Sequence, residues 1–269
     1  MLSDLTFGQY YEAQSFVHKL DPRLKILLLM AFVVLVFVAN SFYALLSLAV
    51  LLVMAIIFSK VPPLQMVRSL KAVLFIILFT VVLNIFFYKT ETQTVLFWII
   101  TKEALIFSAF MAIRLVTLIM ASVLLTYTTT PVALTDGIES LLSPLRIIKF
   151  PVHEIALVMS IALRFIPILM NEADRIIMAQ TARGADFQSG NLFKKAKAMI
   201  PVLIPLLISA FRRAEELGDA MDSRCYSCAS KRTKFKKLKF TYRDIVATAV
   251  SLVAFALVIL IKIYGVAVI

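Results

Sequence analysis

Long apolar runs recur along this chain, at residues 24–39, 42–58, 73–88, 104–127 and 245–264, nearly free of charge along their length. A water-soluble core cannot absorb that many uninterrupted apolar residues. A helix crossing a hydrocarbon layer about 30 Å thick needs such runs. Composition points the same way: 61% of residues are hydrophobic and only 16% charged, with a mean hydropathy of +0.94, whereas soluble domains are roughly a quarter charged. Amides in lipid must be bonded within their own segment or in a closed barrel, and the alternating pattern of barrel strands is absent, so the runs read as helices. Several are shorter than a full crossing and imply local bilayer thinning or snorkelling ends. The expected fold is an all-α integral membrane protein with about five transmembrane helices and a set of long amphipathic helices outside them.

Lysine and arginine orient the spans, because cytoplasmic flanks retain positive charge. Lys19, Arg23 and Lys25 precede the first run, and Lys60, Arg68 and Lys71 lie between the second and third. The opposite side receives Lys89 and Lys102. This places the N-terminus and the long 128–243 segment in the cytoplasm and, with five spans, the C-terminus outside the cell. The expected organisation is a four-span region at 1–127, a cytoplasmic region at 128–240 and a last transmembrane helix at 241–269. Asp4 and Glu12 precede the first run and no small-residue cleavage site follows it, so the first span is expected to be retained.

Most of the 28 lysines and arginines lie in the cytoplasmic segment, which carries most of the net charge of +12. Such a surface suits anionic lipid or an acidic protein partner and gives no reason to invoke nucleic acid. The run 231–239 directly precedes a span on the inner side, the usual place of a lipid-binding polybasic stretch. Cys225 and Cys228 are too few for a disulfide framework, and with His18 and His153 remote in sequence they make half a zinc site at most. No metal site is expected. Arg114 stands alone within the fourth run and should mark a contact or lie near its edge.

Within the cytoplasmic segment, Thr130 and Pro131 read as a cap and first-turn proline opening a short amphipathic helix that stops at Pro151. Ile155, Met159, Ile166 and Leu169 then recur at helical spacing, while Arg164, Asn171 and Arg175 share another face. This is a long helix expected to bend at Pro167 and to break at Gly184 and 188–191. The later apolar run 201–211 is too short to span and is expected to lie in the interface.

An offset of 41 residues carries Ala173, Asp174, Ala179 and Arg183 onto Ala214, Glu215, Ala220 and Arg224. Amphipathic helices share small and charged residues by chance. Here, though, both arginines fall at helix C-termini, where the dipole favours a cation and a side chain can project beyond the end. Two forward-pointing arginines would suit two equivalent sockets, against the plainer role of snorkelling to lipid phosphates. Glu172, on one face with Arg175 and Arg183, is expected to orient arginines, and Glu215 and Glu216 are read likewise.

The segments ALRFIPILMNEADRIIMAQTARG and LISAFRRAEELGDAMDSRCY resemble the paired coupling helices of the transmembrane T component of energy-coupling factor transporters, and HKLDPRLKILL and TPVALTDGIESLLSPLR are similar to that family too. The resemblance implies a non-enzymatic membrane subunit that joins two ABC-type ATPases to a small substrate-binding membrane protein, the S component, for uptake of a vitamin or a metal ion. It implies that Ala182, Arg183 and Gly184, and Ser223, Arg224 and Cys225, each dock on one ATPase, with Arg164, Glu172, Arg175, Arg213, Glu215 and Glu216 supporting them. The second triplet departs from the Ala-Arg-Gly of the first. ATP and magnesium would sit on the partners, and this chain would bind no cofactor.

The residues themselves agree. None of the glycines forms a phosphate loop ending in lysine and serine or threonine, so the energy must come from another chain. The rival is a self-contained secondary transporter, which usually carries acidic groups at membrane depth; no Asp or Glu lies well inside the five runs. A membrane enzyme is disfavoured because paired carboxylates or a nucleophile beside a base are not evident.

Overall fold

The computed structural model describes residues 10–71, 73–87, 95–97, 100–148, 150–185, 187, 192–226 and 240–263. Two helices open the chain, α1 (Pro22–Val38) and α2 (Phe42–Ser59). They are followed by α3 (Pro63–Lys71) and α4 (Leu74–Phe87), then by an antiparallel ribbon of β1 (Val95–Phe97) and β2 (Ile100–Thr101). Next come α5 (Lys102–Thr128), α6 (Pro131–Leu142), a 3-10 segment (Ser143–Ile148), α7 (Val152–Ala182), α8 (Leu192–Ser223) and α9 (Tyr242–Ile263). Apart from the short ribbon, the regular structure of the described residues is helical, as expected of an all-α membrane protein.

Chain contacts divide these elements into two units, one comprising the described residues of 8–152 and 238–269 and the other those of 153–237. The helix after Thr130 therefore belongs with the apolar helices, while α7 and α8 form the second unit.

Local chemistry starts the helices where the residues imply. Asp21 caps α1 by accepting from Arg23 N at 2.9 Å, ahead of a first-turn Pro22. Thr130 caps α6 by accepting from Ala133 N at 3.3 Å, again before a proline. Gly137 of α6 permits close approach to α1, since a Cβ there would meet Ile26 Cδ1 at 3.1 Å and Pro22 Cβ at 3.2 Å.

In the first unit α2 packs on α5 and α9, α1 packs on α5, α6 and α9, and α4 packs on α5. Val36, Leu45, Leu48, Met66, Phe110 and Val258 are among the buried side chains of this core. Large apolar side chains also face outward, including Met30, Phe37, Ile57 and Phe75 at 61%, 61%, 68% and 75% exposure. In water each would forgo about 1.5–3 kcal/mol of burial, whereas against lipid tails that cost vanishes. Arg114 on α5 is placed by the core: its Nη2 donates to Ala39 O at 2.6 Å, at the C-terminus of α1, and its guanidinium lies 4.6 Å from the Phe110 ring centroid. The lone cation thus meets the negative end of a helix dipole.

Two expectations are corrected. First, the connection between the second and third runs contains α3, with Met66 fully buried; α3 and α4 together make a pair bent by 60° that qualifies as one span. At 14 residues α4 alone is about 21 Å long, short of the hydrocarbon thickness. Second, the apolar stretch 201–211 is no separate interfacial run: it lies inside the 32-residue α8, which continues through Pro201 and Pro205. The long helix expected from residue 152 is α7, which runs on through Pro167 over 31 residues and, by length and composition, joins α2, α5 and α9 as one of four described helices that could cross a membrane. At 17 residues α1 is at the short end of that range. The 188–191 break, the 231–239 basic run, Cys228, Lys89 and the outer ends of the third and fifth runs lie outside the described residues.

Candidate functional site: two matching helix ends

Ala182 is the last residue of α7 and Ser223 the last of α8, so Arg183 and Arg224 each follow a helix directly. Beyond Arg183, Gly184 N donates to Thr181 O at 2.9 Å and Ala185 N to Gln180 O at 3.0 Å. Beyond Arg224, Cys225 N donates to Asp222 O at 2.9 Å and Tyr226 N to Met221 O at 2.9 Å. Each pair is a Schellman termination, in which the two residues past the cap satisfy carbonyls the helix would leave open. Every donor and acceptor of the first set maps onto the second at the offset of 41. The two arginines are therefore the C-cap residues of the same motif, at matching positions.

The residue after each arginine must take a left-handed conformation, and both do: Gly184 has φ +88° and Cys225 φ +54°. Glycine does so without strain; a cysteine side chain carries a cost of roughly 1–2 kcal/mol. Ser223-Arg224-Cys225 and Ala182-Arg183-Gly184 thus differ in side chains but share a backbone, which resolves the apparent departure of the second triplet. Ala182, Arg183, Gly184, Ser223, Arg224 and Cys225 are all exposed, and among the described residues neither guanidinium has a partner. An unpaired, exposed arginine held by a rigid cap is a ready fork for a carboxylate.

Glu172 meets a residue its own helix does not supply. Its Oε2 lies 3.2 Å from Arg213 Nη2 on α8, rather than on the Arg175 or Arg183 expected from spacing. Glu172 and Arg213 are also 41 residues apart, each eleven residues before its C-cap arginine, or about 16 Å of helix. The two helices therefore meet at equivalent levels. Arg164, Arg175, Glu215 and Glu216 are exposed and have no ion-pair partner among the described residues.

The first unit holds a polar cluster that the sequence did not reveal. Asp244, 2% exposed at the start of α9, accepts from Thr241 N at 2.7 Å through Oδ2 and from Asp21 N at 2.8 Å through Oδ1. The starts of α1 and α9 are thereby clipped together. Lys25, 7% exposed, donates to Thr128 O at 2.9 Å and to Thr129 Oγ1 at 3.1 Å at the end of α5. Beside it, His18 Nε2 donates to Tyr11 O at 2.9 Å, which leaves Nδ1, 2.7 Å from Ser15 Oγ, as the acceptor of the neutral ring. Burial pushes the His18 imidazole below its ordinary range; the Tyr11 carbonyl opposes this and the Lys25 charge reinforces it. Asp21 and Asp244 are 223 residues apart, so only HKLDPRLKILL as a motif could have hinted at the cluster. Among the described residues no group of three or more His, Cys, Asp or Glu side chains comes together as a metal site would require.

A family model described as CbiQ, cobalt transport protein, matches residues 13–235. The "Energy-coupling factor transporter transmembrane protein EcfT" of Ruminiclostridium cellulolyticum is 48% identical over 97% of this chain and 98% of its own length. Proteins of the same description from Clostridium kluyveri and Bacillus subtilis are 47% and 44% identical, over 98% and 95% of this chain and 99% and 97% of their own lengths. With apolar helices of membrane-crossing length and a match over nearly its whole length, the chain belongs to the CbiQ/EcfT family of transmembrane components of energy-coupling factor transporters.

Proposed function

We propose that this chain links two cytosolic ABC-type ATPases to a small membrane S component and converts ATPase closure into movement of that substrate-binding partner. The observation that carries the reading is the pair of exposed, unpaired arginines on identical helix caps, joined at matching levels by Glu172 and Arg213. Two equivalent ends suit two ATPases, and an arginine fork suits an acidic socket on each. ATP and magnesium sit on those partners, and the S component selects the cargo, a vitamin or a metal ion such as the cobalt of the family's description.

The orientation that serves this function has the starts of α1 and α9 and the end of α5 at the cytoplasmic face. The Asp21–Asp244 and Lys25–Thr128 bonds gather those three ends, with Lys19 and Arg23 at the start of α1, Arg243 at the start of α9, and Lys60 at the end of α2. The coupling helices α7 and α8 then work on the cytoplasmic side, despite the apolar length of α7, because the arginine that follows each of them must reach a soluble ATPase. The C-terminus lies outside the cell.

The test is mild-detergent purification of the tagged chain from its native host, with the Arg183→Ala, Arg224→Ala double variant alongside, and mass spectrometry of what accompanies each. The expected outcome is that the unmodified chain brings ABC ATPases and a small hydrophobic protein, while the variant inserts normally and loses the ATPases. Recovery of the unmodified chain alone, from membranes that still take up substrate, would overturn the reading in favour of a secondary transporter.

A further inference from the structure

The chain enters the 153–237 coupling unit by way of Thr128, Thr129 and α6, and returns from it through Thr241 into α9. Both of these points are tied to one short stretch at the start of α1. Lys25 Nζ holds the departing segment through Thr128 O at 2.9 Å and Thr129 Oγ1 at 3.1 Å. Asp21 N holds the returning segment through Asp244 Oδ1 at 2.8 Å, and the other oxygen of Asp244 holds Thr241 N at 2.7 Å. The departing segment is tied a second time, by Tyr11 N to Tyr127 O at 3.0 Å, and α6 is pressed against Pro22 and Ile26 at Gly137.

A buried lysine is an expensive way to make these bonds, because an ammonium must be desolvated where a neutral donor would do. Here it is surrounded: Asp21, Lys25, Thr128, Thr129 and Asp244 are all at least nine-tenths buried. The carboxylates of Asp244 and Asp21 act electrostatically on the ammonium, whose hydrogens go to Thr128 O, Thr129 Oγ1 and, at 3.4 Å, His18 O. One charged side chain thus fixes a junction, not a helix face. Stabilising the core would not require the ties to fall on the segments that lead toward the coupling unit and back from it.

We propose that Lys25 is a positioning residue for energy coupling: with Asp21 and Asp244 it clamps both chain connections of the coupling unit to α1, so that displacement of α7 and α8 is passed to the membrane helices and not absorbed at the junctions. This rests on the coupling function proposed above. Without the clamp the ATPases still bind and turn over, and the stroke is lost in the linkers.

The complex is purified with its ATPases and S component and placed in liposomes, where ATP hydrolysis and import are measured together. Tritiated riboflavin, biotin and folate and radioactive cobalt(II) are each offered, and the one imported by the unmodified complex is the probe. A complex that recovers no ATPase, or imports none of the four, overturns the coupling reading itself. In the informative variant, Lys25→Met is combined with Asp21→Asn. Asparagine still caps α1, and the net charge of the cluster is unchanged, because one cation and one anion are removed together. Assembly and ATP hydrolysis are expected at the wild-type level, with import per ATP hydrolysed reduced about tenfold. Import per ATP at the wild-type ratio would reduce Lys25 to a purely structural role. Thr129→Val, which removes one acceptor and no charge, gives the same reading should the double variant fail to assemble: a smaller loss of import per ATP supports the clamp, and an unchanged ratio overturns it.

Discussion

Glu172 and Arg213 face each other across α7 and α8 at 3.2 Å, and they are the same position of the internal repeat, 41 residues apart. A contact between equivalent positions joins the two helices at the same level of the repeat. Its placement eleven residues before both Arg183 and Arg224 sets the two caps at equal distances from the crossing.

The pair is partly exposed, with side chains at 36% and 28%, so its direct contribution to stability is small, about 0–1 kcal/mol. Its value lies in register. Glu172→Arg should leave the melting temperature of the purified chain nearly unchanged and lower ATP-driven import, because two like charges then meet at the crossing. The exchange Glu172→Arg, Arg213→Glu should restore import. Import that stays low in the exchanged variant would show that the pair does more than hold the crossing.

The unequal caps predict opposite responses to substitution. Gly184→Ala forces a side chain into φ +88° with no steric clash to blame, since no atom lies within 4 Å of the added Cβ, and should cost about 1 kcal/mol at the end of α7. Cys225→Gly relieves the same strain and should tighten the end of α8 by a similar amount. Hydrogen exchange at the Gly184–Ala185 and Cys225–Tyr226 amides reads the two effects directly: faster in the first variant, slower in the second.

His18 gives the protein an acid-sensitive point outside its membrane spans. Because burial lowers its pKa in the folded state, the neutral ring is favoured by folding; that stability is complete above the unfolded value of about 6.5 and is lost as pH falls through the lower folded value. Thermal stability in detergent should therefore decline below about pH 6.5, and His18→Gln should flatten that decline while lowering stability at neutral pH. A variant whose pH profile matches the wild type would place the acid sensitivity elsewhere.

At Gly137, where α6 meets α1, space and not backbone conformation decides the residue. Gly137→Ala should push α6 off Pro22 and Ile26 at a cost of about 1–3 kcal/mol, with loss of yield in the membrane fraction. Ile26→Val, by removing the nearest methyl, should recover part of it.

The membrane helices, the cap at Thr130, and the two arginines at helix ends were legible in the residues. Each depends on hydropathy or on hydrogen bonds spanning a few positions, which are local properties of the chain. The continuity of α8 was not legible, because the apolar stretch 201–211 differs so sharply in composition from the charged residues on either side that it read as a run of its own, whereas one helix carries both and passes through Pro201 and Pro205. The equivalence of the two caps was only half visible. The repeat showed in sequence, but Cys225 hid a backbone identical in form to that of Gly184, since φ is not written in residue type.

The sequence alone therefore determined what kind of solvent surrounds this protein and where its two projecting arginines stand. Tertiary structure decided which residues hold those parts in relation to one another. Asp244 meets Asp21 across 223 residues, Lys25 meets Thr128 across 103, and Glu172 takes its partner from the next helix and not from its own. No periodicity or propensity encodes such pairs, because a long-range polar contact exists only after packing has brought distant segments together, and it is burial that then makes each bond obligatory.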